Sequence, residues 1–248
     1  MTHELVLSEV RVSYEGRAAL SGVTVTVQAG AITALLGPNG AGKSSLVQAL
    51  AGVVPARGQL TVDGDIVQLG DPTAVRRAGV AVVLEGHRIL TQLSVADNLR
   101  VASAPLHRSE RQSSITAAVT HFPELSVLLP RDAGLLSGGE QQMLALAQAL
   151  VARPRYLVVD ELSLGLAPVI VRRLASALTA IAQDGVGILL IEQFTSLALS
   201  LAARAYVLSH GRISEPMDPA TLLADPGLLH EAYLAGGTTT TSLIGGTV

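Results

Sequence analysis

The run Gly37-Pro38-Asn39-Gly40-Ala41-Gly42-Lys43-Ser44 satisfies the spacing G-x-x-x-x-G-K-[ST] at every position. Residues of these types in this order can cradle a polyphosphate. Gly37, Gly40 and Gly42 are expected to take backbone angles closed to other residues, so that consecutive N–H groups converge on phosphate oxygens. Lys43 can reach the β- and γ-phosphates, and the Ser44 hydroxyl can ligate Mg²⁺. With Ser45 they open a helix expected over about 43–51, whose N-terminus favours anions.

A second constellation lies far along the chain. Tyr156-Leu157-Val158-Val159 is an apolar run ending in Asp160-Glu161. Ligands of parallel sheets bind beyond the carboxyl ends of the strands, where this pair would sit. Asp160 would hold Mg²⁺, and Glu161 would orient or deprotonate an attacking water. Alone, such a pair is more often a solvated turn; the phosphate loop makes it a site. A third constellation, Leu136-Ser137-Gly138-Gly139-Glu140, opens another helix. Ser137 and Glu140 form a capping box. Capping does not require Gly138 and Gly139, which a phosphate approaching the backbone would explain.

Elements must hold these residues in place. Residues 5–30 alternate apolar and polar, with Val23, Val25 and Val27 separated by Thr24 and Thr26. That period reads as half-buried antiparallel strand. Asp63-Gly64 marks a hairpin. Four nearly unbroken apolar runs, 31–36, 80–84, 156–159 and 186–191, suit parallel strands buried on both faces. Helical patterns lie between them, one starting at Asp71-Pro72 and one at Pro168. Residues 86–150 break the alternation with helical periodicity at Ile115, Ala118, Val119 and Phe122, ended by Pro123. The pattern is an α/β fold with a helical insertion.

The phosphate loop and the LSGG-type motif together resemble the ABC transporter ATPase family over about residues 4–215. The resemblance implies a P-loop NTPase (RecA-like) core with an antiparallel β subdomain and an inserted α-helical subdomain. The expected domain spans 1–236. Its core covers about 1–85 and 151–215, the helical subdomain about 86–150, and C-terminal helices about 216–236; residues 237–248 form a disordered tail. The cofactors implied are ATP and Mg²⁺. Ser137, Gly138 and Gly139 would cap the γ-phosphate bound by a second ATPase subunit, related but not identical. Tyr14 would stack on adenine; the other reading is a tyrosine of the strand core. Glu85 occupies the place of a Gln that contacts Mg²⁺, and Gln193 that of a switch His. Ala167 stands where the following loop usually has Asp.

Glu85-Gly86, Glu192-Gln193 and Leu164-Gly165-Leu166-Ala167-Pro168 are similar to one subgroup, the second ATPase of importers for branched-chain amino acids and related small solutes such as urea. Leu84 and Leu162 depart from it, since Pro is usual at both. The subgroup implies two membrane permease subunits, an extracytoplasmic solute-binding protein acting indirectly, and a place on the cytoplasmic face of the membrane. Gln193 can donate a hydrogen bond to a phosphate but cannot carry a proton. Turnover is therefore expected to rest on Glu161, with Lys43 and Gln193 beside it.

Composition bounds the alternatives. The net charge of −3 supplies no basic field for nucleic acid, and no Cys is present for disulfides, thiolate metal sites or nucleophiles. Charged residues make up 15%, against a usual share of roughly 25%. Either an Ala/Leu-rich bias or burial against partners accounts for that. No apolar run approaches the roughly 18 residues of a membrane span, and the N-terminus lacks a signal-peptide pattern. The chain is expected in the cytosol. His3, His87, His107, His121, His210 and His230 show no metal-binding spacing. A soluble, non-transport ABC ATPase fits less well, because the stretch from Lys43 to Ser137 holds no coiled-coil insertion and the chain carries one cassette. A regulator without turnover would have no need of Glu161.

Overall fold

In the computed structural model, residues 3–84, 86, 89–193 and 195–234 are described. Glu85, His87 and the segment 237–248 lie outside them. The alternating N-terminal stretch forms two long strands, β1 (Glu4–Tyr14) and β2 (Arg17–Gln28). They pair antiparallel, with Val23, Val25 and Val27 buried. The first apolar run forms β3 (Ile32–Leu36), and α1 (Lys43–Leu50) leaves the phosphate loop. Next come β4 (Arg57–Val62) and β5 (Asp65–Val67), joined through Asp63-Gly64. Together these four N-terminal strands make one sheet in the order β2-β1-β4-β5.

Asp71 caps α2 (Pro72–Arg77), accepting hydrogen bonds from Thr73 N and Ala74 N. The chain then enters β6 (Val80–Val83). A helical insertion follows, built of α3 (Val95–Ser103), α4 (Arg111–Thr120), α5 (Glu124–Leu128) and α6 (Gly138–Val151). Pro123 both stops α4's pattern and stands at the start of α5, and Phe122 between them is fully buried. The alternation resumes with β7 (Tyr156–Asp160), α7 (Pro168–Gln183) and β8 (Gly187–Glu192). The chain continues through α8 (Thr195–Leu201), β9 (Arg204–Ser209), β10 (Arg212–Ile213), α9 (Pro219–Ala224) and α10 (Pro226–Leu234).

The second sheet runs β10-β9-β3-β8-β7-β6, parallel except for the β10 edge. Every residue of β3, β7 and β8 is buried, which explains their unbroken apolar runs. Period two divides them between two cores. Leu36, Leu157, Val159, Ile188 and Leu190 join the core shared with α6 and α7. Leu35, Val158, Leu189 and Ile191 face the core shared with α1 and the antiparallel sheet. The parallel strands are thus clamped from both sides, and their carboxyl ends are fixed relative to one another.

Long-range polar ties hold the pieces together. Asp63, in the hairpin turn, accepts a hydrogen bond from Tyr156 Oη at 2.5 Å and pairs with Arg155. Burial and this neighbour hold the Tyr156 phenol well above its usual range. At the insertion, Arg173 on α7 donates to Glu124 Oε1 at 2.5 Å, to Glu124 Oε2 at 3.0 Å and to the His121 carbonyl at 2.7 Å. Its guanidinium also lies over Phe122.

Candidate active site

Parallel register sets the site. Leu36 pairs with Glu192, and Asp160 pairs with Ile191. The phosphate loop, the acidic pair and Gln193 therefore leave three adjacent strands at the same edge.

In the phosphate loop Gly40 and Gly42 have φ of +77° and +111°, as their expected role demands. Gly37 does not: its φ lies outside the left-handed region, and glycine is needed there because a Cβ would overlap the Leu208 carbonyl oxygen. A Cβ on Gly42 would also come within 2.7 Å of the Ala19 carbonyl. The loop is thus seated closely on β2 and β9. Ala41 is buried, while Pro38, Asn39, Gly40 and Ser44 are exposed. Lys43 is 4% exposed and donates to the carbonyls of Gly37 at 2.8 Å and Pro38 at 3.2 Å. Burial lowers its ammonium's proton affinity, and Glu161, Asp160 and Glu192 push the other way.

Asp160 is 3% exposed at the end of β7. Glu161 follows with φ of +49°, rare for a residue with a side chain. Such backbone costs about 1–3 kcal/mol and persists only where the surroundings impose it. They do so here. Glu161 N donates to the Ile191 carbonyl at 2.9 Å. Gln193 Nε2 donates to Glu161 Oε1 at 2.7 Å. Ser163 N and Oγ donate to Glu192 at 3.0 and 2.8 Å. Glu192 is 1% exposed, and burial raises its carboxyl's proton affinity despite those bonds. In the sequence Glu192 stands out as half of the Glu192-Gln193 pair, with no role of its own; the signal for one is an acid ending an otherwise apolar run.

Tyr14 ends β1 and is 43% exposed, which excludes the core-tyrosine reading. Its hydroxyl donates to Gln48 Oε1 at 3.2 Å and to Ser45 Oγ at 3.4 Å, placing the ring beside α1.

Ser137 caps α6 by accepting from Glu140 N, and Glu140 Oε2 accepts from Ser137 N at 2.7 Å and Ser137 Oγ at 2.8 Å. These bonds hold the Glu140 carboxyl below the usual range. Among the described residues no hydrogen bond joins Ser137 to the phosphate loop. Ser137 and Gly138 are exposed. Gly139 has a packing reason of its own: a Cβ there would meet Ile170 Cγ2 at 2.6 Å. A Cβ added at Gly138 would find ordinary contact with Leu166, in the loop after the acidic pair, so packing alone does not require glycine there.

The family model described as ABC transporter matches residues 20–163. The chain is 39% identical to the high-affinity branched-chain amino acid transport ATP-binding protein BraG of Pseudomonas aeruginosa, over 94% of this chain and all of that one. The chain belongs to the ABC transporter ATPase family. It is an ATP-hydrolysing cassette. It is also 33% identical to a probable branched-chain amino acid transport ATP-binding protein, LivF, of Archaeoglobus fulgidus, over 83% of this chain and 88% of that one. Identity to the lipopolysaccharide export ATP-binding protein LptB of Escherichia coli K12 is 30%, over 86% and 90%. In fold, the cassette is similar to the ADP conformation of an ATP-binding cassette of an ABC transporter. The TM-score is 0.83 at 23% identity, covering 94% of this chain and 99% of that one.

Of the residues expected to hold a metal, Ser44 and Asp160 would offer a hydroxyl and a carboxylate oxygen, and Glu85 lies outside the described residues. Such donors suit Mg²⁺, which takes one or two protein oxygens and leaves the rest to phosphate and water. Among the described residues no cluster of three or more His, Asp or Glu could hold a metal ion by itself. Also among them, no helix is long and apolar enough to cross a membrane.

Proposed function

We propose that this chain is the ATP-hydrolysing subunit of an importer for branched-chain amino acids, working at the cytoplasmic face of the membrane. The observation that carries the solute class is the 39% identity to BraG across that relative's full length. Residues 1–236 would act as one cassette. Two membrane permease subunits would form the path, and a solute-binding protein outside would choose the cargo.

The geometry supports a defined division of labour. Gly37 to Gly42 and Ser45 would surround the phosphates, with Lys43 turning its ammonium from loop carbonyls to the β- and γ-oxygens. Ser44 and Asp160, with Glu85, would hold Mg²⁺, which when bound spreads the negative charge of the β- and γ-phosphates. Glu161 would take a proton from water as its oxygen bonds to the γ-phosphorus and the β–γ bond breaks. Gln193 has two amide hydrogens. One holds Glu161, which leaves the other for the γ-phosphate. Ser137, Gly138 and Gly139 of a second, related ATPase subunit would close the site. Ser137 must then exchange its bond to Glu140 for one to phosphate.

The test is uptake. Deleting the gene should abolish uptake of labelled leucine, isoleucine and valine, the parent chain should restore it, and Lys43→Ala should not. Undiminished uptake would overturn the solute assignment. The 30% identity to LptB keeps a second reading in view: lost lipopolysaccharide export with intact uptake would establish it. Loss of urea or amide uptake alone would move the assignment to those solutes.

A further inference from the structure

The reaction as described uses Lys43, Ser44, Asp160, Glu161 and Gln193, and leaves one buried carboxylate at the same edge without a task. Glu192 ends β8, 1% exposed, between the strand that feeds the phosphate loop and the strand that ends in the acidic pair. Both of its oxygens accept hydrogen bonds, from Ser163 N at 3.0 Å and Ser163 Oγ at 2.8 Å. A carboxylate taken out of water needs a reason to be there, since an apolar residue would be cheaper to bury.

The local backbone supplies that reason. The β7–β8 ladder runs to the Asp160–Ile191 pair. Glu161 turns to φ of +49°, and a strand ladder does not continue through that conformation. Past this point the segment 161–163 is held to β8 by three successive residues. The Ile191 carbonyl accepts from Glu161 N, the Gln193 amide donates to the Glu161 carboxylate, and the Glu192 carboxylate accepts from both donors of Ser163. The Glu192 side chain thus does for Ser163 what a neighbouring strand's backbone would otherwise do.

We infer that Glu192 is a positioning residue for ATP hydrolysis, clamping Ser163 so that the preceding Glu161 keeps its left-handed backbone and its carboxylate stays aimed for proton transfer. Glu192 does not touch the reacting atoms; it acts through Ser163. The inference rests on Glu161 as the base. It also places the loop Leu164–Ala167, which leads from Ser163 into α7, under the same clamp.

The experiment compares Glu192→Gln, Ser163→Ala and the double variant with the parent, as full chains assembled with the subunits that co-purify with them. ATP hydrolysis is measured against ATP concentration. Glu192→Gln keeps the volume but retains one acceptor oxygen; it should lower kcat about tenfold or more, because small misplacements of a reacting group are costly. KM should stay within about twofold, since ground-state binding is untouched. Ser163→Ala keeps the backbone bond and should lose less. The double variant should be no slower than Glu192→Gln alone, because both changes remove one interaction. Parental kcat in both single variants, a KM rise matching the kcat loss, or fully additive losses would each overturn the inference. Should Glu192→Gln fail to fold, Ser163→Ala decides by the same criteria. Glu161→Gln, run alongside, separates the two claims. Parental activity there removes the base assignment itself, whereas an inactive Glu161→Gln beside a fully active Glu192→Gln removes only the clamp.

Discussion

Gln193 Nε2 donates to Glu161 Oε1 at 2.7 Å, so the residue in the place of a switch histidine holds the proposed base directly. An amide orients without titrating. Gln193→Ala should lower kcat about tenfold by freeing the carboxylate. Gln193→His should keep the contact but add an inflection in the pH–rate profile near about pH 6.5, where imidazole titrates. Steady-state rates between about pH 5.5 and 8.5 check both. A parental profile in the histidine variant would mean that the side chain is remote from the reaction.

Tyr14 is exposed beside α1, with its hydroxyl bonded to Gln48 and Ser45. If its ring receives adenine, Tyr14→Ala should cost about 1–3 kcal/mol of ATP affinity, and Tyr14→Phe little, because the stacking face survives. Titration with a fluorescent ATP analogue distinguishes them. Equal losses would assign the effect to the hydroxyl bond with Gln48.

Lys43 should couple nucleotide to stability. With free Mg-ATP near 100 times its dissociation constant, binding adds about 2.7 kcal/mol to the folded state. Lys43→Ala should lose most of the resulting rise in Tm. A thermal melt with and without Mg-ATP reads this, and an undiminished rise in the variant would contradict the assigned contact.

Arg173 beside Glu124 holds that carboxyl below its ordinary value of about 4.5. The ionised form is therefore bound more tightly in the folded chain than in the unfolded one. The gain is complete above about pH 4.5 and disappears as pH falls through the lower folded value. Both side chains are partly exposed, so screening limits the gain to about 1 kcal/mol. Arg173→Ala should be less stable than the parent at pH 7, and about 1 kcal/mol of that difference should vanish towards about pH 3, leaving the part due to the His121 carbonyl and Phe122 contacts. Urea unfolding at the two pH values measures it.

What was legible in the residues divides by distance along the chain. The phosphate loop, the acidic pair and the capping box are local patterns, and each sits at the strand end or helix start that its neighbours announce. Two local readings had the wrong or an incomplete reason. Gly37 is required by the Leu208 carbonyl and not by its own backbone angle, and Gly139 by Ile170 as well as by any phosphate. Neither contact can be seen before the chain folds. The same holds for the ties that span it: Ser163 to Glu192 bridges 29 positions, Arg173 to Glu124 bridges 49, and Tyr156 to Asp63 bridges 93. Asp63 shows both levels at once. Its place in the hairpin follows from Asp-Gly, but its bond to Tyr156 depends on how the two sheets meet.

The central claim is that Glu161 drives hydrolysis of a nucleotide closed in by a second cassette. The most direct measurement mixes Glu161→Gln with Mg-ATP and follows phosphate release and nucleotide retention together. The account predicts that ATP is bound and held in a stable two-cassette complex while phosphate release falls to background. Phosphate release at the parental rate would contradict it.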